Sequence, residues 1–306
     1  MKQLVLILMG MSFGISLFGQ GTIDILTISG RYASPEPYDS VYTGKAQESG
    51  FMVNLVAPIE LSKKTIWYNS LNYFYWNVTN DEEMPTDIAN PIGIHGFILR
   101  TGLYQKFSKG RGIQLFFVPR LMSDLNNING QHYQFGGIVM YEKKFHDRLT
   151  MKFGGMLNQE LFGPYLVPLV DLKWKISERW SITGLLPVYS KINYKVSDQF
   201  TAGINHFGLI TTYKLGDPAY QGDYIERSSI DVGFFGRYRL AGNIYVEGRF
   251  GRTLDRSYAQ YAADQKVDFS IPLVGFGDDR VQKNVSFQDG IYANIRLVYN
   301  LPIPEE

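Results

Sequence analysis

Four histidines, His95, His132, His146 and His206, are the first residues to test for chemistry in this 306-residue chain. A histidine acts as a general base only beside a nucleophile and an orienting group. His132 comes nearest, since Ser123 and Asp124 lie across the same polar stretch. That trio would suit an enzyme acting on lipid or peptide at one rim. The preferred reading makes His132 a loop residue without a reaction to serve. His146 falls in a polar turn, and His206 lies in a strand whose face the sequence leaves open. No histidine pair has ligand spacing, so no metal is expected. Asp81-Glu82-Glu83 and Asp278-Asp279 offer oxygens to calcium, but neither has the spacing of a calcium loop. Gly275-Phe276-Gly277 is no phosphate cradle, because no helix follows it. Cysteine is absent, which excludes disulfides, thiolate catalysis, Cys-based zinc sites and a lipoprotein anchor. A net charge of +1 carries no basic excess for nucleic acid. No catalytic residue and no cofactor is expected.

The charged residues that remain fall at alternate positions. Arg100, Arg120, Lys173, Asp231, Arg237, Arg239, Glu247, Arg249 and Arg296 are the candidate lining of an interior. Lys152, Lys175, Glu60, Glu142 and Asp171 share their polar faces. Opposite them lie apolar residues. Ile230, Val232, Phe234, Tyr238 and Leu240 share one face, while Asp231, Arg237 and Arg239 share the other. Ala241-Gly242-Asn243 then turns the chain into Ile244, Val246 and Phe250, which alternate with Tyr245, Glu247 and Arg249. A period of two with a tight Gly-Asn turn is a β-hairpin.

Such strands could belong to a soluble sandwich. Three features favour a transmembrane barrel. The segments are longer than the roughly 5–6 residues of soluble strands, and reach the roughly 9–11 a tilted membrane strand needs. Charge persists through their middles, as at Arg237 and Glu247, which suits a polar lumen. The connections come in two kinds. Short turns fall near 62–64, 109–111, 146–148, 177–179, 197–199 and 241–243. Longer loops fall near 32–48, 79–91, 123–131, 158–165, 215–226 and 254–288. Strands are expected near 23–31, 50–61, 65–78, 93–108, 112–122, 132–145, 149–158, 166–176, 180–187, 188–196, 200–214, 227–240, 243–253 and 289–301. That makes an all-β, antiparallel up-and-down barrel of 14 strands, with 12 as the runner-up. An even count puts both ends of the barrel chain in the periplasm, beside the short turns. The aromatic share of 15% suits girdles at two membrane interfaces.

The first residues read as a leader. Lys2 precedes an apolar run from Leu4 to Phe18, then Gly19, Gln20 and Gly21. That is the layout of a cleavable signal peptide over 1–20, leaving 21–306 as one barrel domain. The tract WKISERWSITGLLPVYSKINYKVSDQF and the closing IYANIRLVYNL resemble Gram-negative outer-membrane β-barrel families of uncharacterised function. Ser177-Glu178-Arg179-Trp180 and Ser197-Asp198-Gln199-Phe200 match their turn pattern. The resemblance implies the fold and an outer-membrane location, and brings no catalytic residues. Many such barrels end on an aromatic residue, whereas this chain runs on through Pro302-Ile303-Pro304-Glu305-Glu306. Its partners would be outer-membrane lipid, lipopolysaccharide and the barrel assembly machinery. The leading functional expectation is a non-enzymatic channel or carrier for small solutes or apolar molecules. A rim enzyme and a closed structural barrel, whose long loop at 254–288 binds a surface partner, are the alternatives. Basic residues outnumber acidic ones on the polar faces, so an open lumen would favour anions modestly.

Overall fold

The computed structural model describes residues 21–39, 44–80 and 85–303. The leader reading at 1–20, the acidic cluster at 81–83 and the tail from Pro304 lie outside them. The wall has fourteen strands. They are β1 (Gly21–Ala33), β2 (Lys45–Ser62), β3 (Thr65–Asn80), β4 (Ile92–Ser108), β5 (Arg111–Ser123), β6 (Tyr133–His146) and β7 (Leu149–Glu160). They continue as β8 (Gly163–Lys175), β9 (Trp180–Leu186), β10 (Tyr189–Lys195), β11 (Phe200–Lys214), β12 (Tyr224–Ala241), β13 (Ile244–Tyr261) and β14 (Ile291–Ile303). Each pairs antiparallel with the next, and β1 pairs with β14 from Gly21↔Ile303 to Ala33↔Tyr292, which closes the barrel. No α-helix occurs among the described residues; Gly130–His132 and Pro218–Tyr220 form short 3-10 turns.

The alternation in the sequence is the alternation of the wall. On β2, Phe51, Leu55, Ile59 and Leu61 are exposed, while Val56 is buried. Leu61 lies ten residue steps along the strand from Phe51. At about 3.3 Å per residue and about 40° of tilt, they span about 25 Å of height, the thickness of an outer-membrane apolar band. Exposed Trp67, Phe107, Phe145, Trp174 and Trp180 ring the end with the short turns. Tyr32, Tyr133 and Phe135 are exposed towards the other end. The barrel therefore fits an outer membrane.

The repeated turn motif has a local cause. Ser177 Oγ accepts from Arg179 N at 3.3 Å and Trp180 N at 3.1 Å, and Ser197 Oγ accepts from Gln199 N at 3.2 Å and Phe200 N at 3.1 Å. A serine side chain thus satisfies the amides that the turn frees from the ladder. Lys175–Glu178 at 3.1 Å and Lys195–Asp198 at 2.6 Å pair across the same turns. Hydrogen bonding to each lysine holds those carboxyls below their usual range.

The outer loops are shorter than the sequence suggests. The expected loop at 158–165 is a two-residue turn, Leu161–Phe162, between β7 and β8. The loop expected from 254 starts at 262, because β13 runs on to Tyr261. The loop expected over 32–48 is shortened at both ends, since β1 reaches Ala33 and β2 begins at Lys45. Strands continue above the membrane band because their tops pack on one another.

Those tops lean across the mouth. Register shifts between Ser228 and Ile230 bulge the β12–β13 pair, with Asp255 at φ +53°. The Asp289 carboxylate accepts from Asp255 N at 3.1 Å and Arg256 N at 2.9 Å, fixing the bulge. Bulges bend strands. Above this level, Tyr213, Ile225 and Tyr258 bury themselves against Trp76, Ile94 and Met122 of β3–β5. Lys214 of β11 even bridges to Ser123 of β5, six places away around the wall.

The loop after β13 carries a small hairpin, Phe269–Ile271 with Val274–Phe276, that reaches the edge of β8 at Tyr165. Gly163 makes room for it. Its φ is +131°, and a Cβ there would lie 2.6 Å from Val267 O. Gly163→Val is therefore expected to release this loop while sparing the wall. Strain of about 1–3 kcal/mol corresponds to cleavage about tenfold faster or more. Limited proteolysis within 262–290 measures it, with the folded species followed by unboiled gel migration.

Candidate functional site

The inner wall holds two charged clusters at different heights. The lower one centres on Glu247, which is fully buried. Ladder register sets Glu247 opposite Arg237 on one side and Arg296 on the other. Arg249 follows two residues along the same face. The carboxylate accepts from Lys191 Nζ at 2.7 Å, Arg249 Nε at 2.8 Å and Arg296 Nη1 at 2.7 Å. Arg237 Nη1 lies 3.7 Å away. Arg237 also forms a bidentate pair with Asp24, which Asn300 Nδ2 bonds at 2.7 Å. Four cations thus share two carboxylates. Across the lumen, Lys152 lies 3.2 Å from Asp171 and 3.6 Å from Glu142, and Tyr104 donates to Glu142 at 2.8 Å. That patch sets two carboxylates against one lysine, so the excess positive charge sits on the β10–β14 side.

The upper cluster joins the leaning strands to the wall. Arg31 binds Glu48 and Asp231, and Arg227 binds Glu48 at 3.2 Å. Arg227 also stacks 3.7 Å above the Trp76 ring. A second contact lies on the far face of β11. Thr212 occupies a position that alternation would point at lipid. Instead its N and Oγ1 donate to Glu160 Oε2 at 3.1 and 2.7 Å. Gln134 Nε2 donates to Thr212 O at 2.9 Å, and Arg120 Nη1 holds Glu160 Oε1 at 2.9 Å. Side chains of β5, β6 and β7 thereby cap the free edge of β11. Thr211 to Lys214 are all buried, as is Leu215. The barrel's own strand tops thus cross the mouth and are tied to the opposite wall.

The candidate lining residues divide between these levels. Arg237, Glu247, Arg249 and Arg296 meet in the lower cluster. Lys173 and Arg239 lie near the short-turn ends of β8 and β12. Arg100 donates to the Tyr68 hydroxyl at 3.3 Å, inside the barrel. Asp231 and Arg120 belong instead to the closed outer half. Alternation alone missed Lys191, Asp24, Glu48, Arg227, Glu160 and Thr212, whose roles depend on contacts across the lumen.

The rim trio is not assembled. His132 is buried and caps a turn, with Nδ1 accepting from Asn129 N at 3.0 Å. Ser123 donates to Asp124 at 3.3 Å, and Asp124 accepts from Gly216 N at 2.9 Å. His206 shares the outward face of β11 with exposed Ile204. Among the described residues no group of three metal-binding side chains converges. Asp278 is held by Arg280 at 2.9 Å, as an ion pair in the long loop.

Residues 29–300 match the model of a family described as a domain of unknown function, DUF6268. The chain belongs to this family. The expected kinship with barrels of uncharacterised function is thereby met. No curated protein matches it. Solved barrels resemble it in outline. An outer membrane channel from Pseudomonas putida F1 aligns over 92% of this chain and 97% of its own, at 10% identity and a TM-score of 0.46. The TodX monoaromatic hydrocarbon channel aligns over 94% and 92%, at 9% identity and 0.38. The translocator domain of the autotransporter NalP from Neisseria meningitidis aligns over 97% and 93%, at 9% identity and 0.37.

Proposed function

We propose that this DUF6268 protein is an exported, non-enzymatic channel or carrier of the outer membrane. Its outer mouth opens when the strand tops unlatch. The cluster at Glu247 carries the reading. A barrel that served only as a closed scaffold gains nothing from four cations around one buried carboxylate, since buried ion pairs rarely improve stability over apolar packing. Placed beside a wet lumen, the same excess draws anions. In this reading lipid contacts the apolar band, lipopolysaccharide contacts the outer loops, and the barrel assembly machinery inserts the chain.

Planar-bilayer recording tests it. The native protein is expected to open rarely, and a latch variant to conduct steadily with chloride favoured over potassium. An unlatched barrel that passes no ions refutes the channel. Arg249→Gln combined with Arg296→Gln is expected to lower the anion preference about two- to threefold, read as a reversal potential moved towards zero in a salt gradient. An unmoved potential assigns selectivity elsewhere.

A further inference from the structure

The wall is not laddered equally all the way round. β9 and β10 have seven residues each, whereas their neighbours β8 and β11 have 13 and 15. The last pairs are Val170↔Leu186 and Tyr189↔Phe207. One bond follows, Gly208 N to Val188 O at 2.8 Å. Above it no backbone pairing joins β8 to β11. The seam lies within the membrane band. Trp180 marks the lower girdle, and six residues up to Leu186 raise the wall only about 15 Å of the about 25 Å needed.

Below the polar contacts at Thr212, the side chains that close what the ladder leaves open are apolar. Val167 and Leu169 of β8 are buried there, in an apolar cluster against which Leu185, Val188 and Ile210 also pack. At the outer end of the seam, the hairpin bridged to Tyr165 exposes Leu273, Val274 and Phe276. Leu273 is 72% exposed, a costly display in water but a natural one beside acyl chains. Directly below, Tyr189 pairs with Leu185, and Lys191 points inward two residues on, about 7 Å along the strand. Lys191 belongs to the cluster in which cations outnumber carboxylates.

An apolar seam in the lipid-facing wall where the ladder lapses, ending near surplus positive charge, has the chemistry of an amphiphile site. We propose that the seam is a side entrance and binding site for a small apolar carboxylate. Its hydrocarbon body lies among Val167, Leu169, Leu185 and Ile210, and its carboxylate meets Lys191. The proposal rests on the channel reading for its purpose, but its geometry does not need the outer mouth to open.

Carbene labelling of the folded protein in bilayers tests it. A trifluoromethyl-phenyl diazirine dissolved in the lipid is photolysed, and adducts are mapped by mass spectrometry. Adducts are expected on inward-facing Leu185 as well as on outward-facing Ile210, Leu71 and Val139. 2-Naphthoate should suppress the seam adducts at about tenfold lower concentration than naphthalene, the worth of one charge-assisted contact. It should spare Leu71 and Val139. Lys191→Gln should erase the tenfold difference. Should that variant not fold, the comparison on the native protein decides alone. Adducts confined to outward-facing residues overturn the entrance. Equal suppression by naphthalene overturns the carboxylate. Neither result touches the ion currents that test the channel, and a silent unlatched barrel leaves the labelling pattern standing.

Discussion

Glu160→Gln is expected to turn a barrel that seldom conducts into one that conducts most of the time. The Glu160 side chain is fully buried, and it is the carboxylate that Arg120 binds. The same group accepts both donors of Thr212, so one residue ties the wall to the leaning strands. Glutamine keeps the shape and one acceptor oxygen but leaves Arg120 charged and without its partner carboxylate. Breaking one side of a buried pair costs about 3–5 kcal/mol. That cost falls on the closed state, because only there are Arg120 and Thr212 held together. A shift of this size multiplies the open-to-closed ratio by about 10² or more. Single-channel open probability reads it directly. Gln134→Ala removes one neutral hydrogen bond to Thr212 O, worth about 1 kcal/mol, and is expected to raise the ratio less than tenfold. Equal open probabilities in native protein and Glu160→Gln, with both folded, would remove the latch from the account.

The wall was legible in the sequence because the membrane imposes one rule on it. Every lipid-facing position must be apolar, so Phe51, Leu55, Ile59 and Leu61 announce both the strand and its register. The serine turns were legible too, since an unpaired turn amide needs a local acceptor. The leaning tops were hidden because the rule lapses above the band. Thr212 and Lys214 sit where alternation would place lipid-facing residues, and Glu226 follows on β12. None of the three suits lipid. Their polarity was the available signal that these stretches leave the wall, but a long exposed strand end in water reads the same way.

The candidate lining was legible as a set of faces and not as a set of partners. Period two places Arg237, Glu247, Arg249 and Arg296 inward, and the ladder brings them into register. It says nothing of Lys191, which crosses the lumen from three strands away to reach Glu247. Nor does it separate Asp231 and Arg120, sealed in the upper half, from residues beside open water. Both facts depend on how far each strand rises and where its top goes. β9 and β10 illustrate the point. Their boundaries match the sequence expectation within two residues, yet the seam follows only from comparing them with β8 and β11.

Glu247→Gln should be the most destabilising single change in the lower barrel. Its carboxylate is the shared partner of Lys191, Arg237, Arg249 and Arg296, and only Arg237 has a second carboxylate in Asp24. Neutralising it leaves three cations facing one another without a counter-charge. Loss of one member of such a buried group costs about 3–5 kcal/mol. In the channel reading the lumen is wet, so an anion from solution can take the empty place. The variant is therefore expected to lose several kcal/mol at low salt and to recover much of it in sulfate. The native protein, with Glu247 in place, should respond weakly to the same salt. Unfolding in urea, followed by unboiled gel migration, separates the two. If sulfate stabilises both proteins alike, the salt acts on the whole surface and the cluster does not hold anions. If the variant is as stable as the native protein without sulfate, the four cations repel too little for Glu247 to be their organising charge. Recovery specific to the variant would show that the lower barrel accepts a solute anion among Lys191, Arg249 and Arg296, as both the channel and the seam require.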